Sequence, residues 1–108
     1  MVALLFWMLV LHAVCDYPLQ GDFLAKAKNR TAPVPGVPWW QALTAHAAIH
    51  AGAVGFITGS VWLALAELVV HWLTDDAKCR GEISFNQDQA IHVACKVSWA
   101  ALAVLGVA

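Results

Sequence analysis

Apolar residues along this chain of 108 residues fall into four long runs, and polar or Pro/Gly-rich stretches separate the runs. The runs cover residues 2–16, 40–57, 61–75 and 89–107. Each run is long enough for several helical turns, and the turn at 58–60 is so short that its two helices must be antiparallel neighbours. The pattern predicts an all-α protein, a four-helix bundle that forms a single domain over residues 1–108.

The stretch between the first two runs predicts a different kind of element. Pro18 limits the first helix, and residues 19–30 alternate apolar side chains with Lys and Arg, as a short interfacial helix does. The Pro- and Gly-rich stretch 29–38 is a linker. Trp39 and Trp40 follow it, at the position where an aromatic belt at a membrane interface would lie.

The amino-acid composition indicates that the predicted bundle lies in a membrane. The chain is 61% hydrophobic and 12% charged, with a mean hydropathy of +0.68, whereas a soluble domain of this size cannot hide so much apolar surface. We therefore predict an integral membrane protein with four spans. The net charge of −1 excludes the basic footprint of a nucleic-acid-binding protein.

Charged residues outside the spans set the expected orientation. Five of the six Lys and Arg residues fall on the connections 17–40 and 75–88, so the positive-inside rule predicts that these connections are cytoplasmic and that both termini lie outside. Asp22, Asp76 and Glu82 are expected to be solvated loop charges.

Every histidine is paired with another possible metal ligand four residues away, a spacing that puts both side chains on one helix face. The pairs are His12/Asp16, His46/His50, His71/Asp75 and Asp88/His92. Threading the helices up and down brings all four pairs to one depth near the cytoplasmic face. An outer layer would hold Asp16, His46, Asp75 and Asp88, and a layer one turn deeper would hold His12, His50, His71 and His92.

Nitrogen and oxygen ligands without a thiolate favour zinc, with manganese or iron as alternatives. Eight ligands exceed the four of a structural zinc site, so two metals with open positions, and hence catalysis, become plausible. Glu67 and Lys96 lie a further turn inward and are predicted to form an ion pair, because isolated charges in lipid are costly. Asp16, Asp88 and Glu67 are the candidate catalytic carboxylates, and Gln20 and Gln89 could orient a ligand pair or a substrate.

These motifs carry a resemblance over nearly the whole chain. His12-xxx-Asp16-Tyr-Pro-Leu-Gln20, His46-xxx-His50, His71-xxx-Asp75-xx-Lys78 and Phe85-xx-Asp88-Gln89-xx-His92 resemble the membrane proteins grouped as domain of unknown function 3307, from bacteria and their tailed phages. The resemblance implies a multi-pass protein of the bacterial inner membrane. The paired His and Asp residues are also loosely similar to those of inner-membrane metal-dependent hydrolases.

The leading functional hypothesis is a membrane-embedded metal-dependent hydrolase that acts at the cytoplasmic interface, on a lipid or another membrane-anchored phosphoester or ester. The alternative is a non-catalytic protein, either a metal-stabilised structural bundle or a conduit for metal ions or protons. A conduit is disfavoured because the outer halves of all four spans lack ionisable groups. A homo-oligomer is possible, and Gly52, Gly55 and Gly59 could mark a close helix contact.

Overall fold

In the computed structural model of the protein, residues 1–107 are described, so the end of the predicted domain at Ala108 lies outside the described residues. Every regular element in that part of the chain is a helix, which confirms the all-α prediction. The helices are α1 (Val2–Asp16), α2 (Gly21–Ala27), α3 (Trp39–Thr58), α4 (Val61–Cys79) and α5 (Phe85–Leu105). The four long helices form a ring in which α1 packs on α3, α3 on α4, α4 on α5 and α5 on α1, and α2 packs against α3.

The polar connection between α4 and α5 is shorter than the sequence pattern predicts. The Ser84 side chain accepts a hydrogen bond from the backbone N–H of Gln87 at 3.1 Å, and the Gln87 side chain accepts one from the N–H of Ser84 at 2.8 Å. This reciprocal cap starts α5 at Phe85 instead of near residue 89. Because α4 also continues to Cys79, the acidic residues at both ends of the connection, including Asp88, lie within regular helix.

The segment after α1 folds back against the bundle. α2 covers only residues 21–27 of the predicted helix at 19–30, and it is bent by 81° from α1. Beyond it, the Arg30 guanidinium donates to both carboxylate oxygens of Asp76, at 2.9 and 2.8 Å, and lies over the ring of Trp39. The prediction that Asp76 is a solvated loop charge is therefore wrong, because this residue is buried in α4, where Arg80 also binds it.

The two ends of the bundle differ in what they bury. Met8, Val54, Leu63 and Ala100 form a buried apolar cluster near the 58–60 turn. In the opposite half, histidine, acidic and lysine side chains are buried beside apolar ones such as Leu43 and Ala47. The inside of this small protein is thus unusually polar.

The outside carries the apolar side chains. Large hydrophobic residues with half or more of their surface exposed include Phe6, Trp7, Phe56, Trp62 and Leu105. No single helix within residues 1–107 combines the length and the hydropathy needed to cross a membrane, whereas α1 and α2 reach both only when taken together across their bend.

Gly55 lies at a close contact between α3 and α4. A Cβ atom added at Gly55 would lie 3.1 Å from the Cβ of Ala64, whereas one added at Gly52 would meet no atom within 4 Å. Gly59 has a different role, since its φ of +72° ends α3 in the left-handed conformation.

We expect the substitution Gly55→Val to lower the free energy of unfolding by about 1–3 kcal/mol, because the added side chain overpacks the α3–α4 contact. The matched control Gly52→Val introduces the same side chain into the same helix at an open position. Unfolding by SDS titration in mixed micelles would compare the two variants. Equal stability of the two would mean that the α3–α4 contact tolerates a larger separation.

Candidate metal centre

The eight predicted ligands lie in one cluster, in the polar half of the bundle. Four histidines, contributed by four different helices, face one another. The ring centroids of His50 and His71 are 3.8 Å apart, those of His71 and His92 are 4.2 Å apart, and those of His12 and His50 are 5.0 Å apart. These four are the residues that the helical spacing assigns to the deeper layer. Helical periodicity, together with the up-and-down order of the helices, therefore brings residues that are remote in sequence to one place.

Within this cluster, one group of four residues has the closest arrangement for a single ion. Asp16, His46, His50 and His71 each offer one ligand atom, and these atoms all lie within 4.8 Å of one another. The Oδ1 atom of Asp16 is 2.9 Å from Nε2 of His50 and 3.4 Å from Nε2 of His46. Three imidazoles and one carboxylate are a donor set that suits zinc, manganese or iron.

The hydrogen bonds of the histidines leave several ring nitrogens without a partner. Within the described residues, the buried side-chain nitrogen and oxygen atoms without a hydrogen bond are Nδ1 and Nε2 of His46, Nε2 of His71, Nδ1 of His12 and Nδ1 of His92. Of these, Nε2 of His46 lies 3.4 Å from Asp16 and 3.5 Å from Asp75 without forming a hydrogen bond to either. Buried polar atoms are normally paired, because an unpaired one loses its bonds to water without compensation. A cation among these rings would supply the missing partner for the nitrogens that face it, so the residues fit a bound metal ion.

Glu67 lies beside this group and makes the predicted ion pair. Nζ of Lys96 donates to Oε1 of Glu67 at 2.6 Å, and both side chains are buried. Nε1 of Trp99 donates to Oε2 of Glu67, also at 2.6 Å. The predicted pair is confirmed, and both oxygens of Glu67 are occupied by donors.

Asp75 and Asp88 contact the cluster from its outer side. Oδ2 of Asp75 is 2.6 Å from Nζ of Lys28 and 3.5 Å from Nε2 of His46. Oδ1 of Asp88 is 3.1 Å from Nε2 of His92. Both carboxylates are thus close to histidines, but Asp75 is already paired with a buried lysine.

A cavity of about 250 Å³ opens next to the cluster, at the bend between α1 and α2. Asp16 and Gln89 belong to both the cluster and the cavity wall, and Lys78, Tyr17 and Phe85 also line the cavity. Asp16 is therefore the member of the four-ligand group that a small molecule in the cavity would meet first.

Lys78 brings a positive charge to the wall of this cavity. It lies beyond the predicted span 61–75, with Nζ 3.2 Å from Oδ1 of Asp75 and 3.9 Å from Oδ2 of Asp88. Partial burial alone would lower the pKa of Lys78, but the two carboxylates outweigh it and raise this pKa above its usual value. Lys78 therefore stays protonated at neutral pH.

The family model described as "Protein of unknown function (DUF3307)" matches residues 4–106. The chain belongs to this family. The match includes all eight candidate ligands and confirms the resemblance of the sequence motifs to this family. No curated protein and no solved structure is significantly similar to the chain.

Sequence reasoning missed one member of this centre and left another undecided. Lys28 was expected on an interfacial helix, yet its side chain is buried and contacts both Gln20 and Asp75. Gln89 was left as a candidate, and it bridges three residues of the cluster. It donates to Asp16 at 3.0 Å and to Asp88 at 3.1 Å, and its Oε1 atom lies 3.2 Å from Nε2 of His12.

We expect the substitution Gln89→Ala to weaken metal binding by about 10- to 100-fold, the usual effect of removing a residue that orients metal ligands. The affinity would be measured by titrating the metal-free protein with Zn²⁺ in detergent. Gln41→Ala, an exposed change on α3, is the matched control and should bind as the wild type does. Unchanged affinity of Gln89→Ala would show that Asp16 holds its position without this amide.

Proposed function

We propose that the protein is a membrane-embedded, metal-dependent hydrolase whose centre opens toward the cytoplasmic interface, where a phosphoester or ester of a lipid or another membrane-anchored substrate could reach it. The observation that carries the proposal is the four-ligand group of Asp16, His46, His50 and His71, placed directly beside a cavity. A metal site that only stabilised the fold would not need an open side.

A divalent ion in this group would polarise a phosphoryl or acyl oxygen and activate a water molecule. The protein itself would contribute binding and orientation. Asp16 and Gln89 line the cavity beside the ligand group, and the protonated Lys78 offers a positive charge to an anionic substrate. The substrate would thus be held between the ligand group and the ammonium.

Asp88 and His92 have the arrangement of an oriented base. Asp88 binds Nε2 of His92, while Nδ1 of the same ring is unpartnered. Neither residue belongs to the four-ligand group, so His92 can accept a proton during the reaction. Of the candidate catalytic carboxylates, Glu67 is the least suited to be the base, because Lys96 and Trp99 occupy its oxygens.

The distribution of apolar side chains supports the membrane placement. Phe56 is 87% exposed and Trp62 is 70% exposed, and a polar interior within an apolar exterior is the arrangement expected when lipid is the solvent. The histidine and acidic side chains of α3, α4 and α5, together with Lys96, are buried inside the bundle, so hydropathy averaged around each helix understates the apolar character of the outer faces.

The charged residues support the proposed orientation. Lys26, Lys28, Arg30, Lys78 and Arg80 lie at the same end of the bundle as the cavity. The positive-inside rule would place that end, and with it the open side of the centre, at the cytoplasmic interface. A lipid head group would then be at the right depth to enter.

Two steps test the proposal on protein purified in detergent. Elemental analysis should find at least one divalent metal per chain, and the substitution His50→Ala should remove it. The metal-loaded protein should then release head groups from vesicles of phosphatidylethanolamine and phosphatidylglycerol, or hydrolyse bis(p-nitrophenyl) phosphate or p-nitrophenyl butyrate. His50→Ala should abolish this turnover, while Cys95→Ala, outside the cluster, should retain it.

The outcomes separate the alternatives. Wild-type protein without metal would overturn the metal centre. Bound metal without turnover on any of these substrates would overturn the hydrolase and favour the metal-stabilised structural bundle. Turnover of the soluble esters but not of the vesicles would assign a substrate other than a phospholipid.

A further inference from the structure

A second set of possible ligands lies directly beside the four-ligand group. Glu67, His71 and His92 each offer a ligand atom, these atoms lie within 4.8 Å of one another, and all three residues are buried. His71 belongs to both sets. One of its nitrogens, Nδ1, is 3.3 Å from Oε1 of Glu67, whereas the other, Nε2, has no partner.

The second set already holds a positive charge. The Lys96 ammonium is 2.6 Å from Oε1 of Glu67, the same oxygen that His71 approaches. Lys96 is only 2% exposed, so this ammonium is held in place by the packing of α4 against α5. Its charge neutralises the carboxylate of Glu67, which a metal ion bound at this position would need as a ligand.

We propose that the Lys96 ammonium occupies the position of a second metal ion, so that the cluster binds one divalent ion although it carries ligands for two. This inference rests on the metal site of the proposed function. It changes the expectation of two metals, which the number of ligands by itself suggests.

Electrostatics favours this arrangement. The repulsion between two charges scales with their product, so a divalent ion next to an ammonium is repelled half as strongly as it would be next to a second divalent ion. The carboxylate of Glu67 balances the ammonium fully but would balance only half of the charge of a divalent ion. The lysine therefore keeps the centre close to neutral in surroundings of low dielectric.

With Lys96 in place, Glu67 has a positioning role. Its Oε1 atom lies against Nδ1 of His71, and this contact leaves Nε2 of His71 directed away from Glu67 and available to the four-ligand group. A carboxylate behind a metal-binding histidine fixes the orientation of its ring. Lys96 and Trp99 in turn hold the carboxylate.

The test counts ions in the wild type, in Lys96→Ala and in the double variant Lys96→Ala/Glu67→Gln. Each protein is purified in detergent, saturated with Mn²⁺, dialysed and analysed for metal. We expect one ion per chain in the wild type, two in Lys96→Ala and one again in the double variant, which lacks the carboxylate of the second position. The electron paramagnetic resonance spectrum should show isolated Mn²⁺ in the wild type and a coupled pair in Lys96→Ala.

Each outcome has a distinct meaning. Two ions in the wild type, or a single ion in a folded Lys96→Ala protein, would overturn the inference while leaving the metal site intact. No ion in any of the proteins would overturn the proposed metal site, and the inference with it. If Lys96→Ala does not fold, Lys96→Gln removes the same charge with a smaller change in volume, and a single ion in the folded Lys96→Gln protein would overturn the inference in the same way.

Discussion

The variant Asp16→Asn is expected to bind the metal ion more than about 100-fold more weakly than the wild type. This loss exceeds the effect of removing a residue that only orients a metal ligand. Asp16 is the one carboxylate in the four-ligand group. It contacts His12, His46 and His50, at distances from 2.9 to 3.4 Å. An asparagine keeps the size of the side chain but removes the charge that attracts the ion. Titration of the metal-free protein with Zn²⁺ measures the affinity.

Asp22→Asn is the matched control for this variant. It makes the same chemical change in a residue that also lines the cavity but that belongs to no ligand group. Wild-type affinity in Asp22→Asn together with loss in Asp16→Asn would separate coordination from the general charge of the cavity. A similar, small loss in both would remove Asp16 from the proposed ligands.

Much of this centre could be predicted from the sequence because it depends on helical periodicity. A spacing of four residues puts the two members of each pair on one helix face, and the short 58–60 turn makes α3 and α4 antiparallel. These two facts suffice to bring His50 and His71 together. The Glu67–Lys96 pair follows by the same reasoning, since one further helical turn places both residues at the same depth.

The contributions from the segment after α1 could not be predicted in this way. Lys28 reaches Asp75 because α2 turns sharply away from α1 and packs against α3. Pro18 predicts the end of α1, but no local pattern indicates which helix the segment beyond it contacts. Arg30 and Asp76 likewise come together only when the linker lies against α4. Sequence patterns treat such charges as solvated, since nothing nearby in the chain reveals their partners.

The choice among the eight candidate ligands also needed the structure. Spacing places Asp16 and Asp75 equally well, as each is four residues from a histidine. Only the three-dimensional contacts show that Asp75 is bound by Lys28 and Lys78, whereas Asp16 faces both the histidines and the cavity. Side-chain partners that come from other helices decide which carboxylate is available to an ion.

Glu67→Gln should lower the free energy of unfolding by about 3–5 kcal/mol, the typical effect of removing one partner of a buried ion pair. The substitution leaves the Lys96 ammonium buried opposite a neutral amide. The double variant Glu67→Gln/Lys96→Met should recover most of this loss, because it replaces the lysine by an apolar side chain of similar length and leaves no buried charge. SDS titration in mixed micelles with a chelator present measures stability without a contribution from metal.

The comparison of the single and double variants separates the effect of the unpaired charge on stability from the effect of lost packing contacts. If the unpaired ammonium causes the instability, the double variant must be more stable than Glu67→Gln although it carries one more substitution. Equal loss in both would instead attribute the effect to the contacts that Glu67 makes with Trp99 and His71. Wild-type stability in Glu67→Gln would mean that water reaches Lys96. A hydrated lysine could not occupy the position of a second ion.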